Sequence, residues 1–238
     1  MTAITPGTLY LIPTVLADDT AAAVIPPQVI ACVRGLSYFI VENARTARRY
    51  IKAIVPEKVI EELQIVVIDK DSTEAEIKKA LAPLQKGLSA GIISEAGCPG
   101  VADPGAELAR LAHRLHLKVV PLVGPSAILL SLMASGFNGQ SFAFLGYLPI
   151  EKKERVLALR QLEKEMLQKD QTQIFMETPY RNNQLLQDVV QHLTPSYRLC
   201  IAANITGPNE LIRTDTIANW KNQLPDLHKQ PAVFLLYK

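Results

Sequence analysis

Cysteine is scarce in this 238-residue chain: Cys32, Cys98 and Cys200 are odd in number and far apart. That spacing excludes a disulfide framework and a Cys-x-x-Cys metal site, and it suits a reducing cytoplasm. Long apolar runs are missing too, and none approaches the roughly 18 residues of a membrane span. Met1 to Thr14 carries no basic n-region and no long apolar h-region, so no secretory signal is expected. We therefore expect a cytoplasmic protein with no membrane partner. Charge of one sign is also lacking. The net charge is +2, so an RNA partner would need a local basic patch. There is no G-x-G-x-x-G after the first strand, no Walker A lysine, no G-x-S-x-G elbow and no H-E-x-x-H. His113 and His116 have no third ligand nearby. They read as surface or packing residues, and no metal is expected.

What is present supports an ordinary core: 48% of residues are hydrophobic and 20% charged. Short apolar runs alternate with amphipathic stretches. Strands are predicted at Thr8–Pro13, Tyr38–Val41, Gln64–Ile68, Gly91–Ile93 and Lys118–Leu122, with helices between them. Pro26-Pro27 opens one helix, Ala44 to Ile54 forms another, and Leu16 to Ala23 reads as loop. This β-α alternation predicts a mostly parallel sheet wrapped by helices. Around Ser135–Gln140 the pattern changes, and the later strands are separated by short turns, which predicts a mixed sheet. The expected architecture is two α/β domains, 1–137 and 138–238.

The chain is organised around Gly91–Gly105, where a buried strand end breaks into a loop with Gly97, Gly100 and Gly105. Asp103-Pro104 then reads as an N-cap followed by proline at the first helical position. A strand, a loop of small residues and a helix can form a ligand crevice; the same glycines and prolines can also serve turn geometry alone. Cys98, in that loop, has no convincing histidine partner and reads as a small residue lining a pocket. Arg45, Arg48, Arg49 and Lys52 are spaced i, i+3, i+4, i+7, which puts four cations on one helix face. That face suits phosphates or simply solvent. In Glu177-Thr178-Pro179-Tyr180-Arg181, Glu177 is placed to accept hydrogen bonds and Arg181 to fix a carboxylate, or the two form an internal ion pair.

In order along the chain, five stretches resemble the tetrapyrrole methylase superfamily, the class III S-adenosylmethionine (SAM) methyltransferases. They are Gly7–Thr14, Ser94–Gly105, Val120–Ala127, Phe144–Pro149 and Phe175–Arg181. Within that superfamily the chain is most similar to the branch that methylates a cytidine ribose 2′-hydroxyl in small-subunit ribosomal RNA. The resemblance implies two α/β domains with a SAM-binding cleft between them, and a homodimer. It implies a cofactor site formed by Pro13, Gly97, Cys98, Val101, Ser126, Ala127, Met176, Glu177, Asn204 and Ala232. Glu95 and Glu177 are the candidates for a base or orienting acceptor. Arg45, Arg48, Arg49, Lys52 and Arg181 are the candidates for holding RNA.

The departures fall on the acceptor side. Val15-Leu16-Ala17-Asp18-Asp19 stands where that branch has a P-I-G-N-L-type loop. Glu42-Asn43-Ala44-Arg45 keeps the outer two residues of an E-D-T-R pattern. Ala203-Asn204-Ile205-Thr206-Gly207 replaces R-E-L-T-K, and Glu95 stands for an aspartate. Gln230-Pro231-Ala232 looks more like the tetrapyrrole enzymes. A tetrapyrrole or other small-molecule acceptor, or a SAM-binding protein without turnover, is therefore the alternative reading.

Overall fold

A computed structural model describes residues 5–238, and the chain divides into two compact units, Met1–Ser126 and Ala127–Lys238. The first contains β1 (Thr8–Ile12), α1 (Ala21–Val24), α2 (Pro27–Gly35), β2 (Tyr38–Val41), α3 (Ala44–Ile54) and a 3-10 turn at Ile60–Glu62. It continues with β3 (Gln64–Val67), α4 (Glu74–Gln85), β4 (Ala90–Ile93), α5 (Gly105–Arg114) and β5 (Lys118–Pro121). The five strands are parallel, in the order β3-β2-β4-β1-β5. Because successive strand residues point to opposite faces, Phe39 packs with Val29, Val33 and Ile51, under α2 and α3. Tyr38 and Ile40 pack on the other face with Leu81, Leu84 and Leu108, under α4 and α5.

Two helix starts in this unit are fixed by side chains. Asn43 accepts from the amides of Arg45 and Thr46 at the start of α3, and Thr73 and Glu76 close a capping box on α4. The helix expected from Asp103 begins later. Pro104 occupies the N-cap position of α5, while Asp103 Oδ1 accepts from Gly100 N at 2.8 Å and Gly105 N at 2.6 Å. The carboxylate still satisfies a helix-start amide, but from one residue further out. The loop expected over Leu16 to Ala23 contains the start of α1, a single turn with no side-chain cap and no buried residue.

The second unit contains α6 (Ala127–Ser135), β6 (Phe142–Tyr147), α7 (Lys152–Lys169), β7 (Thr172–Met176), α8 (Asn182–His192), β8 (Arg198–Ala203), β9 (Leu211–Thr216), α9 (Ile217–Asn222) and β10 (Ala232–Tyr237). Its order is β6-β7-β10-β8-β9; β6 and β7 are parallel and the other pairs antiparallel, so the sheet is mixed. Phe175, Phe234 and Trp220 pack with Leu159 and Met166 on one face. On the other face Leu132 of α6 packs with Ile174, Val233 and Leu235. Thr214 Oγ1 also donates to Ser135 O at 2.8 Å. These contacts place α6 with the second unit, so the division falls at Ser126/Ala127 rather than after residue 137.

One buried ion pair fixes the chain after β6. Arg155 of α7 donates through Nε and Nη2 to Asp188 Oδ2 at 2.8 and 2.6 Å, and through Nη1 to Ile150 O at 2.6 Å. Arg155 is 1% exposed and Asp188 3%.

Candidate functional site

In the first unit the carboxyl ends of β1 and β4 lie side by side, because Ile12 is in register with Ile93. The loops leaving them are tied together. Thr14 N donates to Gly97 O at 2.8 Å, and Cys98 Sγ lies 3.4 Å from Pro125 O. Gly97 has φ +70°, and a Cβ there would sit 3.3 Å from Leu16 Cδ2 and 3.5 Å from Pro125 O. Gly124 approaches Pro13 so closely that a Cβ would lie 2.2 Å from the proline ring. Pro13, Gly97 and Cys98 thus meet within this unit, where open α/β sheets bind ligands. Val101 follows on the same loop and is exposed. Burial, then the charge of Asp103, pushes the Cys98 thiol up, the opposite of what a nucleophilic thiolate needs.

Beside that loop is a cavity of about 350 Å³, lined among others by Thr14, Asp18, Arg49, Tyr50, Ser94 and Glu95. Glu95 is exposed, and its amide donates to Glu42 Oε2 at 3.3 Å. Burial pushes the Glu42 carboxyl up; the Glu95 amide opposes this, and the charges of Glu95, Asp103 and Asp69 add to it. Among the described residues, Thr14 Oγ1 and Ser94 Oγ are buried without a hydrogen-bond partner. The buried Tyr50 hydroxyl donates to Pro13 O at 2.6 Å, which ties α3 to the end of β1. Thr14, Tyr50 and Ser94 do not stand out in the sequence as site residues. Tyr50 had a signal: it lies on the apolar face of α3 with Ala47 and Ile54, and a buried tyrosine hydroxyl usually finds an acceptor.

The predicted cations do share the outward face of α3, opposite Ala47, Tyr50, Ile51 and Ile54. Only Arg49 lines the cavity, and it pairs with Asp18 at 2.9 Å. Lys52 Nζ donates to Lys58 O at 3.2 Å, while Arg45 and Arg48 make no ion pair among the described residues.

In the second unit Met176, Ala232 and Asn204 lie at one end of the sheet: Met176 pairs with Val233, and Ala232 with Ala203. Asn204 has φ +50°; its amide donates to Pro231 O at 3.0 Å and its side chain to Gln230 Oε1 at 2.8 Å. Ala127 begins α6 and is half-buried against the sheet; Ser126 ends the first unit. Glu177 Oε1 accepts from Thr178 N at 2.7 Å and from Arg181 Nη2 at 2.6 Å. The carboxylate that Arg181 fixes is therefore Glu177, the internal ion pair. Burial alone would raise the Glu177 carboxyl, but the bonds from Arg181 and Thr178 outweigh it and hold it below the usual range. A carboxyl lowered on folding stabilises the unit fully above its unfolded value, about 4.3, and loses that contribution as pH falls through the folded value. Glu177→Gln is expected to flatten the fall of stability below about pH 4, measured by thermal unfolding across pH. An unchanged acid limb would show that the pair contributes nothing.

Each unit by itself leaves polar groups unmet at its strand ends. Among the described residues, Thr14 Oγ1, Ser94 Oγ and Asp103 Oδ2 in the first unit, and Glu177 Oε2, Asn182 Oδ1 and Thr206 Oγ1 in the second, are buried without partners. Among the described residues no group of His, Cys, Asp and Glu is placed to hold a metal, and no helix is long and apolar enough to cross a membrane.

No protein-family model matches the chain. Curated relatives do. The ribosomal RNA small subunit methyltransferase I of Buchnera aphidicola (subsp. Schizaphis graminum) is 25% identical over 233 residues, 97% of this chain and 78% of its own length. The protein of the same name from Neisseria meningitidis serogroup A is 29% identical over 221 residues, 92% of this chain and 70% of its own. The chain is thus similar, over nearly its whole length, to methyltransferases of that name. Its fold resembles the crystal structure of the methyltransferase CobJ, with TM-score 0.63 at 17% identity over 97% of this chain and 93% of that one. These relatives are, by name, methyltransferases.

Proposed function

We propose that this protein is a methylase that transfers a methyl group from SAM to a ribose 2′-hydroxyl of ribosomal RNA. One observation carries the reading: beside the Gly97 loop, at the ends of β1 and β4, lies a cavity whose lining brings Glu95 together with Arg49 of the cationic helix. The names of the curated relatives agree with an RNA acceptor.

SAM, when bound, supplies a methyl already made electrophilic by the sulfonium. The groups that would hold it are Pro13, Gly97, Cys98, Val101 and Ser126 in the first unit, and Ala127, Met176, Glu177, Asn204 and Ala232 in the second. The remaining work is orientation, which by itself lowers a barrier by several kcal/mol. Glu95 is exposed to the cavity and free to accept a hydrogen bond from the ribose hydroxyl as it attacks. Glu177 is committed to Arg181 and Thr178, which suits it to holding the cofactor rather than a proton. Thr14 and Ser94 offer unsatisfied hydroxyls to the incoming nucleoside. Arg45, Arg48, Arg49 and Lys52 take the phosphates. In this reading the protein acts in the cytoplasm as a homodimer.

The decisive experiment is transfer of labelled methyl from SAM into small-subunit RNA from a strain lacking the gene. Incorporation at a ribose is expected. Binding of SAM with no transfer into any RNA would leave a binding protein without turnover. On the RNA side, Arg48→Ala with Arg49→Ala should weaken RNA binding and flatten its salt dependence by about one unit of slope for each phosphate that α3 no longer neutralises. SAM affinity should hold, and an unchanged slope would remove α3 from the RNA surface.

A further inference from the structure

The second unit carries a basic face that the proposed methyl transfer does not use. α7 buries Leu159, Leu162 and Met166 against its sheet. On its outer side Lys153, Leu157, Arg160 and Lys164 follow one another at i, i+4, i+7 and i+11. They therefore share one helix face, and all four are exposed. The carboxylates of α7 lie off this face: at about 100° per residue, Glu154 and Glu165 point roughly a quarter turn to one side and Glu163 to the other. Glu165 is paired with Lys169, and Glu163 accepts from the Thr194 amide at 2.8 Å. Among the described residues Lys153, Arg160 and Lys164 make no ion pair. The face borders an open groove of about 500 Å³, lined among others by Glu151, Lys152, Lys153, Leu157, Arg160 and, from the end of α8, His192. Glu151 in that lining is engaged as the cap of α7, accepting from the Glu154 amide at 3.0 Å. Lys152 lies 3.7 Å from Asp188 Oδ1. Lys153 and Arg160 thus face the groove with no counter-charge.

We infer that this face of α7 is a second RNA-binding surface, on which Lys153, Arg160 and Lys164 neutralise phosphates away from the nucleotide that is methylated. This rests on the RNA reading given above. The occupant is argued from charge. Lys153 to Lys164 spans about 16 Å at 1.5 Å per residue, a line of point charges that suits a polymer charged along its length. A protein partner fits less well, because lysine is depleted at protein–protein interfaces and no aromatic anchor stands on this face. A lipid surface fits less well too. A helix that lies in a membrane needs its apolar face free, whereas the apolar face of α7 is already buried in the core. The cations of α3 belong to the first unit, so α7 adds contacts that the acceptor cavity does not supply.

The test titrates small-subunit RNA into full-length protein at several salt concentrations and follows methyl transfer alongside. Arg160→Ala with Lys164→Ala should flatten the dependence of log affinity on log salt by about two units of slope. KM for RNA should rise, while kcat and SAM affinity hold. Both side chains are exposed and alanine is a strong helix former, so α7 stays formed. Arg160→Lys with Lys164→Arg keeps the charges and should keep the slope. Lys78→Ala with Lys79→Ala removes the same charge from exposed positions on α4 and should leave the slope as in wild type. An α7 alanine variant with the wild-type slope would overturn the surface. So would an α4 variant that falls as far, since overall charge would then be the cause. Wild-type protein that binds phosphatidylserine vesicles through α7, and RNA equally well without it, would give the face to a membrane. Wild-type protein that methylates RNA while the α7 variant binds it normally removes only this surface; one that binds no RNA removes both readings.

Discussion

Alanine at Asp188 is expected to cost the second unit about 3–5 kcal/mol, because it leaves a buried guanidinium without its counter-charge. Arg155 is 1% exposed and gives two of its nitrogens to Asp188. The third, Nη1, donates to Ile150 O. Lys152 Nζ, 3.7 Å from Asp188 Oδ1, is largely exposed and contributes little. Replacing both partners, Arg155→Leu with Asp188→Leu, should recover most of the stability, since an apolar pair can substitute for a buried ion pair. Urea unfolding followed by Trp220 fluorescence would report on this unit, because the indole is 2% exposed in its core and donates to Leu199 O at 2.8 Å. A midpoint unchanged by Asp188→Ala would show the pair to be energetically idle. The double variant should also loosen the residues after β6, where the carbonyls of Pro149 and Ile150 lose the guanidinium that donates to them.

The second large effect concerns the cofactor. Gly97→Val should abolish SAM binding in a protein that still folds. At φ +70° a β-branched residue is strained by about 1–2 kcal/mol. Its Cβ would already touch Leu16 and Pro125 O, so the two γ-carbons must displace the loop or fill the space beside it. The displacement would also stretch the Thr14 N to Gly97 O bond that joins the β1 and β4 loops. Wild-type protein at about a hundred-fold excess of SAM over Kd should gain about 2.7 kcal/mol of stability by mass action. The valine variant should show no heat by calorimetry and no thermal shift, and Gly97→Ala an intermediate effect. Normal SAM binding by a folded valine variant would mean that the loop lies elsewhere than at the cofactor.

Much of the fold was legible because its elements are long or sharply bounded. Tyr38–Val41 is an uninterrupted apolar run, and both faces of that strand are covered by helices. Ala44–Ile54 keeps its apolar residues strictly on one face and begins at a capping asparagine. The elements that escaped are those with no pattern to read. The α1 turn buries nothing, and the 3-10 turn at Ile60–Glu62 is three residues long. The division between units was misplaced because α6 is apolar all round. Nothing in Ala127–Ser135 says which sheet it covers until Leu132 meets Val233 and Leu235. Pro13, Gly97 and Cys98, which motifs of fixed order single out, come together at the ends of β1 and β4. Thr14 and Ser94 lie inside those same stretches but stand out only once their hydroxyls are seen buried and unpaired. Arg181 was legible as a partner for a carboxylate, and that carboxylate proved to be Glu177, four residues earlier on the same loop.

The strand order of the first unit also bears on how the protein is made. β1 leaves the ribosome first, but its neighbours in the sheet are β4 and β5. Leu9 therefore waits for Ala90 on one side and Val119 on the other, while β2 and β3, which pair with each other, emerge much earlier. Pairings so distant in sequence form slowly, since the loop must close before they contribute. The loop that follows β1, with Pro13 and Thr14, acquires its shape only when Gly97 and Gly124 arrive. Nascent chains stalled short of residue 90 would thus hold a β2–β3 pair and an apolar first strand with nothing beside it, and a chaperone that shields extended apolar segments would find its target there.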